Sequence, residues 1–306
     1  MNTNRVKQIW AIGSGKGGVG KSLISSTLAI NLSKLGFKVT AIDLDLGGAN
    51  LHTALGIPIP EKTLGDFLHN HTENLSDCIT PTPLAHLNLI SGAQDPFFIT
   101  QITHKKKLEL LKAIKTLDTD YVILDLGAGT HISTIQFFLA ADIKIVTLIP
   151  EPSSIEGAYR FIKTIYYQNL LLSPELAPIH ELLKMSMNPK NSAKLKTPTD
   201  LYQEISTHHP QALPLLIRRL HQLQLNLIVN QARTQQDTEL GEAIKNVCKK
   251  YFGIPVECLG SLEHEASLWQ AARRKKPAAL EYPFSKLAMN FEQITQKLLG
   301  LKSHGI

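Results

Sequence analysis

Cysteine is scarce, with only Cys78, Cys248 and Cys258 in 306 residues and no C-x-x-C pair among them. That excludes a disulfide framework and a zinc ribbon as organising devices, and it suits a reducing compartment. No apolar run approaches the roughly 18 residues that a transmembrane helix needs. The first ten residues, MNTNRVKQIW, lack the long apolar stretch of a signal peptide. The expectation is a cytoplasmic protein, with any membrane contact peripheral and at the inner face. Neither sign of charge dominates: 32 Lys and Arg stand against 26 Asp and Glu, a net charge of +6. A mildly basic balance favours anionic partners such as a phospholipid surface or nucleic acid, but it decides nothing about fold.

What is present is an ordinary globular composition, 43% hydrophobic and 19% charged, enough for one large α/β domain or a domain carrying an insertion. The chain is organised around AIGSGKGGVGKS, residues 11–22, which follows an apolar run over 6–12 and opens a helical pattern over 23–35. Gly15, Gly20, Lys21 and Ser22 sit at the fixed positions of G-x-x-x-x-G-K-[ST]. A triphosphate presents a chain of charged oxygens, and a ring of backbone N–H groups leading into a helix N-terminus suits it. Gly15, Gly17, Gly18 and Gly20 let the backbone take positive φ and approach the β-phosphate. Lys21 is placed for the β/γ oxygens, and the Ser22 hydroxyl for Mg²⁺, a hard cation that takes oxygen ligands. The candidate nucleotide-binding set is Gly15, Lys16, Gly17, Gly18, Val19, Gly20, Lys21, Ser22 and Leu23, with ATP and Mg²⁺ as cofactors.

Residues 39–44 read as a buried strand that delivers Asp43 and Asp45 to the sheet's C-terminal edge, where open α/β sheets hold ligands. Two carboxylates at i, i+2 on a strand share a face. YVILDL, 121–126, is a short apolar run ending in Asp125, the pattern of a buried parallel strand, and Asp125 is placed to hold Mg²⁺ through water. Further strands are expected over 87–90, 143–149, 225–229 and 256–262, and helices over 63–70, 103–117, 240–252, 287–301 and from the PEPSS segment to about 172. Ser153 or Ser154 is the expected cap of that last helix. Residues 173–221, with six prolines between short apolar stretches, read as a basic helical insertion rather than a separate domain. The fold class is α/β: a three-layer P-loop NTPase with a mostly parallel central sheet and helices on both faces. The domain division is a single domain over 1–306, the insertion within it, and a C-terminal helix over 287–306.

KGGVGKS resembles the deviant Walker A motif of the MinD/ParA family of ATPases, and four further segments carry the same resemblance: DLDLGGANLHTALG, LDLGAGT, PEPSSIEGAYRFIK and LIVNQART. The DLGGANLHTALG and PEPSS wording is closer to FlhG-type (FleN, YlxH) flagellar-number ATPases than to plasmid ParA. In that family the extra lysine, here Lys16, crosses a dimer interface to the phosphates held by the other subunit, and the acid matching Glu151 reaches the partner's ribose. The resemblance makes Asp45 the residue that positions the attacking water near Mg²⁺, and makes Asp43 its strand partner. It makes Gly127 of switch II a γ-phosphate sensor and Asn230 the reader of adenine, with Arg233 near enough to stack or cap. Lys16, Lys21 and Asp45 are the implied catalytic group; Ser22, Asp45 and Asp125 are the implied metal group.

The resemblance implies an ATP-dependent homodimer that hydrolyses slowly and a protein partner that speeds it; the C-terminal helix has two readings, packing on the sheet or, as in MinD and FlhG relatives, touching the membrane. LGLKSHGI would be a short version of that contact. Two departures are the missing N-terminal DQ-bearing segment of some FlhG proteins and the length of the insertion. Three other readings stand beside this one: a partition ATPase that binds DNA through its basic surface, an iron–sulfur carrier, which would need paired cysteines, and a non-catalytic nucleotide-dependent scaffold.

Overall fold

VTAIDL and YVILDL are six-residue runs buried along nearly their whole length. Strands covered on both faces belong in the middle of a parallel sheet with helices above and below. The computed structural model describes residues 7–93, 103–188, 195, 197–265, 270–271 and 273–301. Its strands are β1 (Gln8–Gly13), β2 (Val39–Leu44), β3 (Thr80–Pro81), β4 (Leu87–Ile90), β5 (Tyr121–Leu126), β6 (Ile143–Leu148), β7 (Leu225–Ala232) and β8 (Val256–Glu263). They form one sheet in the order β3-β4-β2-β5-β1-β6-β7-β8. Every pairing is parallel except the short β3 against β4.

The helices of the first half are α1 (Lys21–Lys34), α2 (Leu51–Ala54), α3 (Leu64–Leu68), α4 (His104–Thr116) and α5 (Ile132–Ala140). Those of the second half are α6 (Pro152–Leu171), α7 (His180–Met187), α8 (Pro198–His208), α9 (Ala212–Gln222) and α10 (Gln235–Phe252), followed by a short helix over Ala278–Glu281 and a C-terminal helix over Lys286–Leu298. One face of the sheet is covered by α1 and the C-terminal helix, through Ile24, Leu28, Leu32, Leu287, Phe291 and Ile294. The other is covered by α4 to α10, through residues such as Leu110, Phe138, Phe161 and Phe252.

Within 173–221 most of the described residues are helical, and Leu176, Ile179, Leu183, Leu201, Ile205, Leu216 and Leu220 belong to the second of these cores. The spacing Ala212, Leu216, Leu220 puts one face of α9 inward. Lys190, Lys194 and Lys196, which contribute to its basic character, lie outside the described residues.

The C-terminal helix uses its apolar face on the sheet. Leu287, Ala288, Phe291, Ile294 and Thr295 are buried, the Asn31 amide donates to Thr295 Oγ1 at 3.2 Å, and Lys297 Nζ donates to the Leu259 carbonyl at 2.8 Å. Of the two readings of this helix, its apolar face takes the packing one, which leaves that face not free for a lipid surface. What remains of LGLKSHGI beyond Leu301 lies outside the described residues.

Other differences are local. The helix after β6 has Glu151, not a serine, at its N-cap, with Pro152 at the first helical position, and Ser154 Oγ instead accepts the Ile149 N–H at 3.1 Å. Helix α10 begins at Gln235, five residues before the expected start, because Thr234 and Asp237 form a capping box there. Helices α2 and α5 were not expected. No described helix is long and apolar enough to cross a membrane.

Candidate nucleotide-binding site

Five neighbouring strands, β2, β5, β1, β6 and β7, run parallel, so their C-terminal ends open on one edge. Onto that edge they deliver Asp45, Gly127, the glycine loop, Glu151 and Asn230. The loop leaves β1 at Gly13 and enters α1 at Lys21, with Gly20 at the N-cap in the left-handed region, φ 93°. Helix α1 has no acidic residue in its first turn and no side-chain cap, so its leading N–H groups are left to an anion. Gly17 and Gly18 are exposed, and a Cβ built on Gly18, where φ is 76°, would meet nothing within 4 Å.

The loop is held from behind by contacts that a side chain would prevent. A Cβ on Gly15 would fall 1.8 Å from the Gly157 carbonyl oxygen, so the loop rests directly on the backbone of α6. A Gly15→Ala variant is expected to lose about 1–3 kcal/mol or more of stability, because neither backbone can give way cheaply; thermal unfolding measures it, and an unchanged midpoint would contradict the contact.

Lys21 is buried, 7% exposed, at the start of α1. Asp125 is 1% exposed; Ser25 Oγ donates to its Oδ1 at 3.0 Å, and among the described residues its Oδ2 has no hydrogen-bond partner. An orphaned buried carboxylate oxygen beside an open glycine loop fits a hard divalent cation. Together with the bare helix N-terminus it makes the residues present suited to Mg²⁺ and a polyphosphate.

Asp43 is fully buried and stands beside Asp125 in the β2–β5 register. Its Oδ1 accepts the Asp45 N–H and its Oδ2 the Leu51 N–H, each at 3.0 Å. Asp43 thus anchors the loop after β2, whose segment DLDLGGANLHTALG carries the family resemblance, and the start of α2, leaving Asp45 to project past it. A Cβ on Gly48 would lie 3.5 Å, and one on Gly127 3.4 Å, from Asp45 Oδ1. The Asp45 carboxylate therefore sits between the two candidate switch loops.

Burial, and then the charge of Asp125, push Asp43 above the usual carboxylate range. Burial pushes Asp125 up as well, opposed by the Ser22 hydroxyl, the Lys21 ammonium and Ser25. Raised acids mean that the folded chain keeps protons the unfolded chain has released, so stability is present at low pH and lost as pH rises from about 4 towards neutrality. The ligand-free protein is expected to melt higher at pH 5.5 than at pH 7.5. Asp125→Asn should flatten that slope by up to about 1.4 kcal/mol per pH unit. A wild-type melting point that rises across the window would contradict the shifts.

Lys16 behaves differently from Lys21. Its Nζ donates to Glu151 Oε2 at 3.2 Å and to Ser153 Oγ at 2.7 Å, while Ser14 Oγ holds the Lys16 carbonyl at 2.8 Å. The pair that the resemblance assigns to trans contacts is joined in cis in the single chain. Asn230 is 1% exposed, and its amide faces the glycine loop, donating to the Val19 carbonyl at 2.8 Å. Arg233 is exposed, its N–H tied to Asp237 Oδ2 at 2.8 Å.

Ser25 and Gly157 belong to the site although the sequence reading did not single them out. Ser25 lies three residues after Ser22 on α1, a spacing that puts both on one helix face; Gly157 has no sequence signal of its own. The cysteines lie elsewhere. Cys78 and Cys248 are buried in the core, and burial pushes the Cys248 thiol up to about 11.

A model of a family described as an AAA domain, AAA_31, matches residues 7–177. The chain belongs to that family, and to its MinD/ParA type. "Antiactivator FleN" of Pseudomonas aeruginosa is 29% identical over 220 residues, 70% of this chain and 76% of the relative. "Flagellum site-determining protein YlxH" of Helicobacter pylori is 36% identical over 157 residues, about half of each chain at 50% and 52%. Among solved structures, the septum site-determining protein MinD of Pyrococcus horikoshii, complexed with Mg-ADP, superposes with a TM-score of 0.66 at 22% identity, covering 96% of both chains. This MinD/ParA-type chain therefore shares a P-loop NTPase fold with a protein solved with its magnesium nucleotide.

Proposed function

We propose that the protein is an ATP-dependent dimerisation switch that hydrolyses ATP slowly and controls the position or number of a cellular structure, a flagellum or a division site. The observation that carries this reading is the direction taken by Lys16. A cation needed only by its own phosphates would turn inward beside Lys21; Lys16 instead reaches the rim, where its side chain is 40% exposed and that of Glu151 55% exposed. A pair so exposed is worth about 0–1 kcal/mol, so a phosphate carried by a second subunit can take its place. The roles named for the FleN, YlxH and MinD relatives support the cellular part of the reading.

Bound MgATP supplies the leaving group and a cation that neutralises charge on the transferring phosphoryl group. The N–H groups of the glycine loop and Lys21 would hold the β- and γ-oxygens, and Ser22 and Asp125 would hold the Mg²⁺. Asp45, anchored through Asp43, orients the water and takes its proton. Gly127, against Asp45, carries the state of the γ-phosphate into switch II. Phosphoryl transfer asks for positioning more than covalent chemistry, and these groups are positioned by neighbouring strand ends.

The test is mass by light scattering with a non-hydrolysable ATP analogue and Mg²⁺. A doubling of mass with the analogue and not with ADP is expected; a monomer at high concentration with both would overturn the switch.

A partition ATPase is the second reading, favoured by the exposed cations Arg273, Arg274, Lys275 and Lys276 before the last helix. Sedimentation with liposomes and with DNA, each with ATP and with ADP, separates the two. ATP-dependent DNA binding with a steep salt dependence would favour partition, and ATP-dependent lipid binding the positioning role.

A further inference from the structure

Three serines of α1, Ser25, Ser26 and Ser33, are buried. A serine inside a helix ordinarily returns its hydroxyl to a carbonyl one turn back. Ser26 does so to the Leu23 carbonyl at 3.0 Å, and Ser33 to the Ile30 carbonyl at 2.8 Å. Ser25 does not. It is fully buried, and its Oγ leaves the helix to donate to Asp125 Oδ1, on β5, at 3.0 Å.

The strands beside Asp125 give its carboxylate no donor. Its register partners are Ile12 on β1 and Asp43 on β2; the first is apolar, and both oxygens of the second are engaged by the Asp45 and Leu51 N–H groups. The groups that favour the Asp125 carboxylate, Ser22, Lys21 and Ser25, all stand on α1. An aspartate's last torsion turns in a broad well, so the backbone of β5 alone leaves open which oxygen is presented. The bond from Ser25 occupies Oδ1. Oδ2, without a partner among the described residues, is the oxygen that remains.

We propose that Ser25 is a positioning residue for the divalent cation: by holding Oδ1 it fixes the Asp125 carboxylate, so that the same oxygen, Oδ2, is always the one left to Mg²⁺ and its water. The proposal rests on the nucleotide-binding reading above and adds to it a residue that sets cation affinity without touching the cation. Such a partner behind a ligand carboxylate is typically worth about 10- to 100-fold in metal affinity. The phosphates are held by different groups, the loop N–H groups and Lys21. Loss of the Ser25 hydroxyl should therefore separate the two affinities.

Mn²⁺, followed by its electron paramagnetic resonance signal, serves as the probe for the metal. It is titrated into the ADP-saturated wild type, Ser25→Ala and Ser26→Ala proteins, and the ADP affinity of each is measured separately in EDTA. Alanine suits a helix interior, so both variants should fold. Ser25→Ala should bind Mn²⁺ about 10- to 100-fold more weakly, with its ADP affinity in EDTA unchanged. Ser26→Ala removes a buried hydroxyl from the same helix, one bonded to its own backbone, and should match wild type in both measurements. Wild-type Mn²⁺ affinity in Ser25→Ala would overturn the proposal. So would an equal loss of Mn²⁺ and ADP, the mark of a serine that only supports the helix. A wild type that binds no ADP, with or without Mn²⁺, would remove the nucleotide reading and this proposal together, whereas either of the preceding results leaves that reading standing.

Discussion

Replacing Lys16 with Ala is expected to leave nucleotide binding close to wild type while ATP turnover falls by about 10³-fold, the low end of what a cation supplied in trans is worth. The physical basis is the division of labour between the two loop lysines. Lys21 is buried at the head of α1, next to Asp125, whereas Lys16 is bonded to Glu151 and Ser153 at the rim. The variant removes no group from its own cradle, so ADP affinity should hold. Removing the trans contact should keep the protein monomeric with a non-hydrolysable analogue. Glu151→Ala separates this from a simple charge effect: it frees Lys16 from its cis partner, and by the same proposal it deletes a trans contact. Turnover and mass by light scattering together read the result. A Lys16→Ala protein that hydrolyses ATP at the wild-type rate would remove the dimer from the mechanism.

Asp45→Ala should have the opposite signature. Loss of a group that orients the water and takes its proton costs typically about 10²–10⁴-fold in rate, with the γ-phosphate contacts intact. The expected outcome is a protein that dimerises with ATP itself and stays dimeric, because Asp43 still holds the Asp45 and Leu51 N–H groups and so the loop. Asp43→Ala, by contrast, should loosen the loop and lower nucleotide affinity and turnover together. If Asp45→Ala releases phosphate at the normal rate, Asp45 is not the water-orienting residue and the scaffold reading regains ground.

The glycine loop and the helix it opens were legible because every part of them is local. Glycine spacing, one lysine, one serine and a following helical period fall within residues 11–35, and backbone N–H groups need no distant partner to face an anion. Strand β5 was legible for the same reason: an apolar run ending in an acid has the length and burial of an inner strand, and β5 has the expected bounds, Tyr121–Leu126. Helix α10 starts earlier than its apolar spacing implies, because the Thr234 and Asp237 capping box, a local signal, sets its first turn. The orphaned oxygen of Asp125 and the raised acids depend on β2 and β5 lying side by side, which no spacing within one strand reveals.

The sequence alone determined that a glycine loop of P-loop spacing leads into α1, that an acid lies at the end of each of two inner strands, and that the family is the MinD/ParA type, since each rests on residues close together in the chain. Tertiary structure alone decided that Lys16 meets Glu151, 135 positions away, that Asn230 grips Val19 across 211 positions, and that the apolar face of the last helix is buried on α1 and β8. Such side chains offer several equally good partners until strand order brings one of them within 3 Å or so, and strand order is a property of the whole sheet.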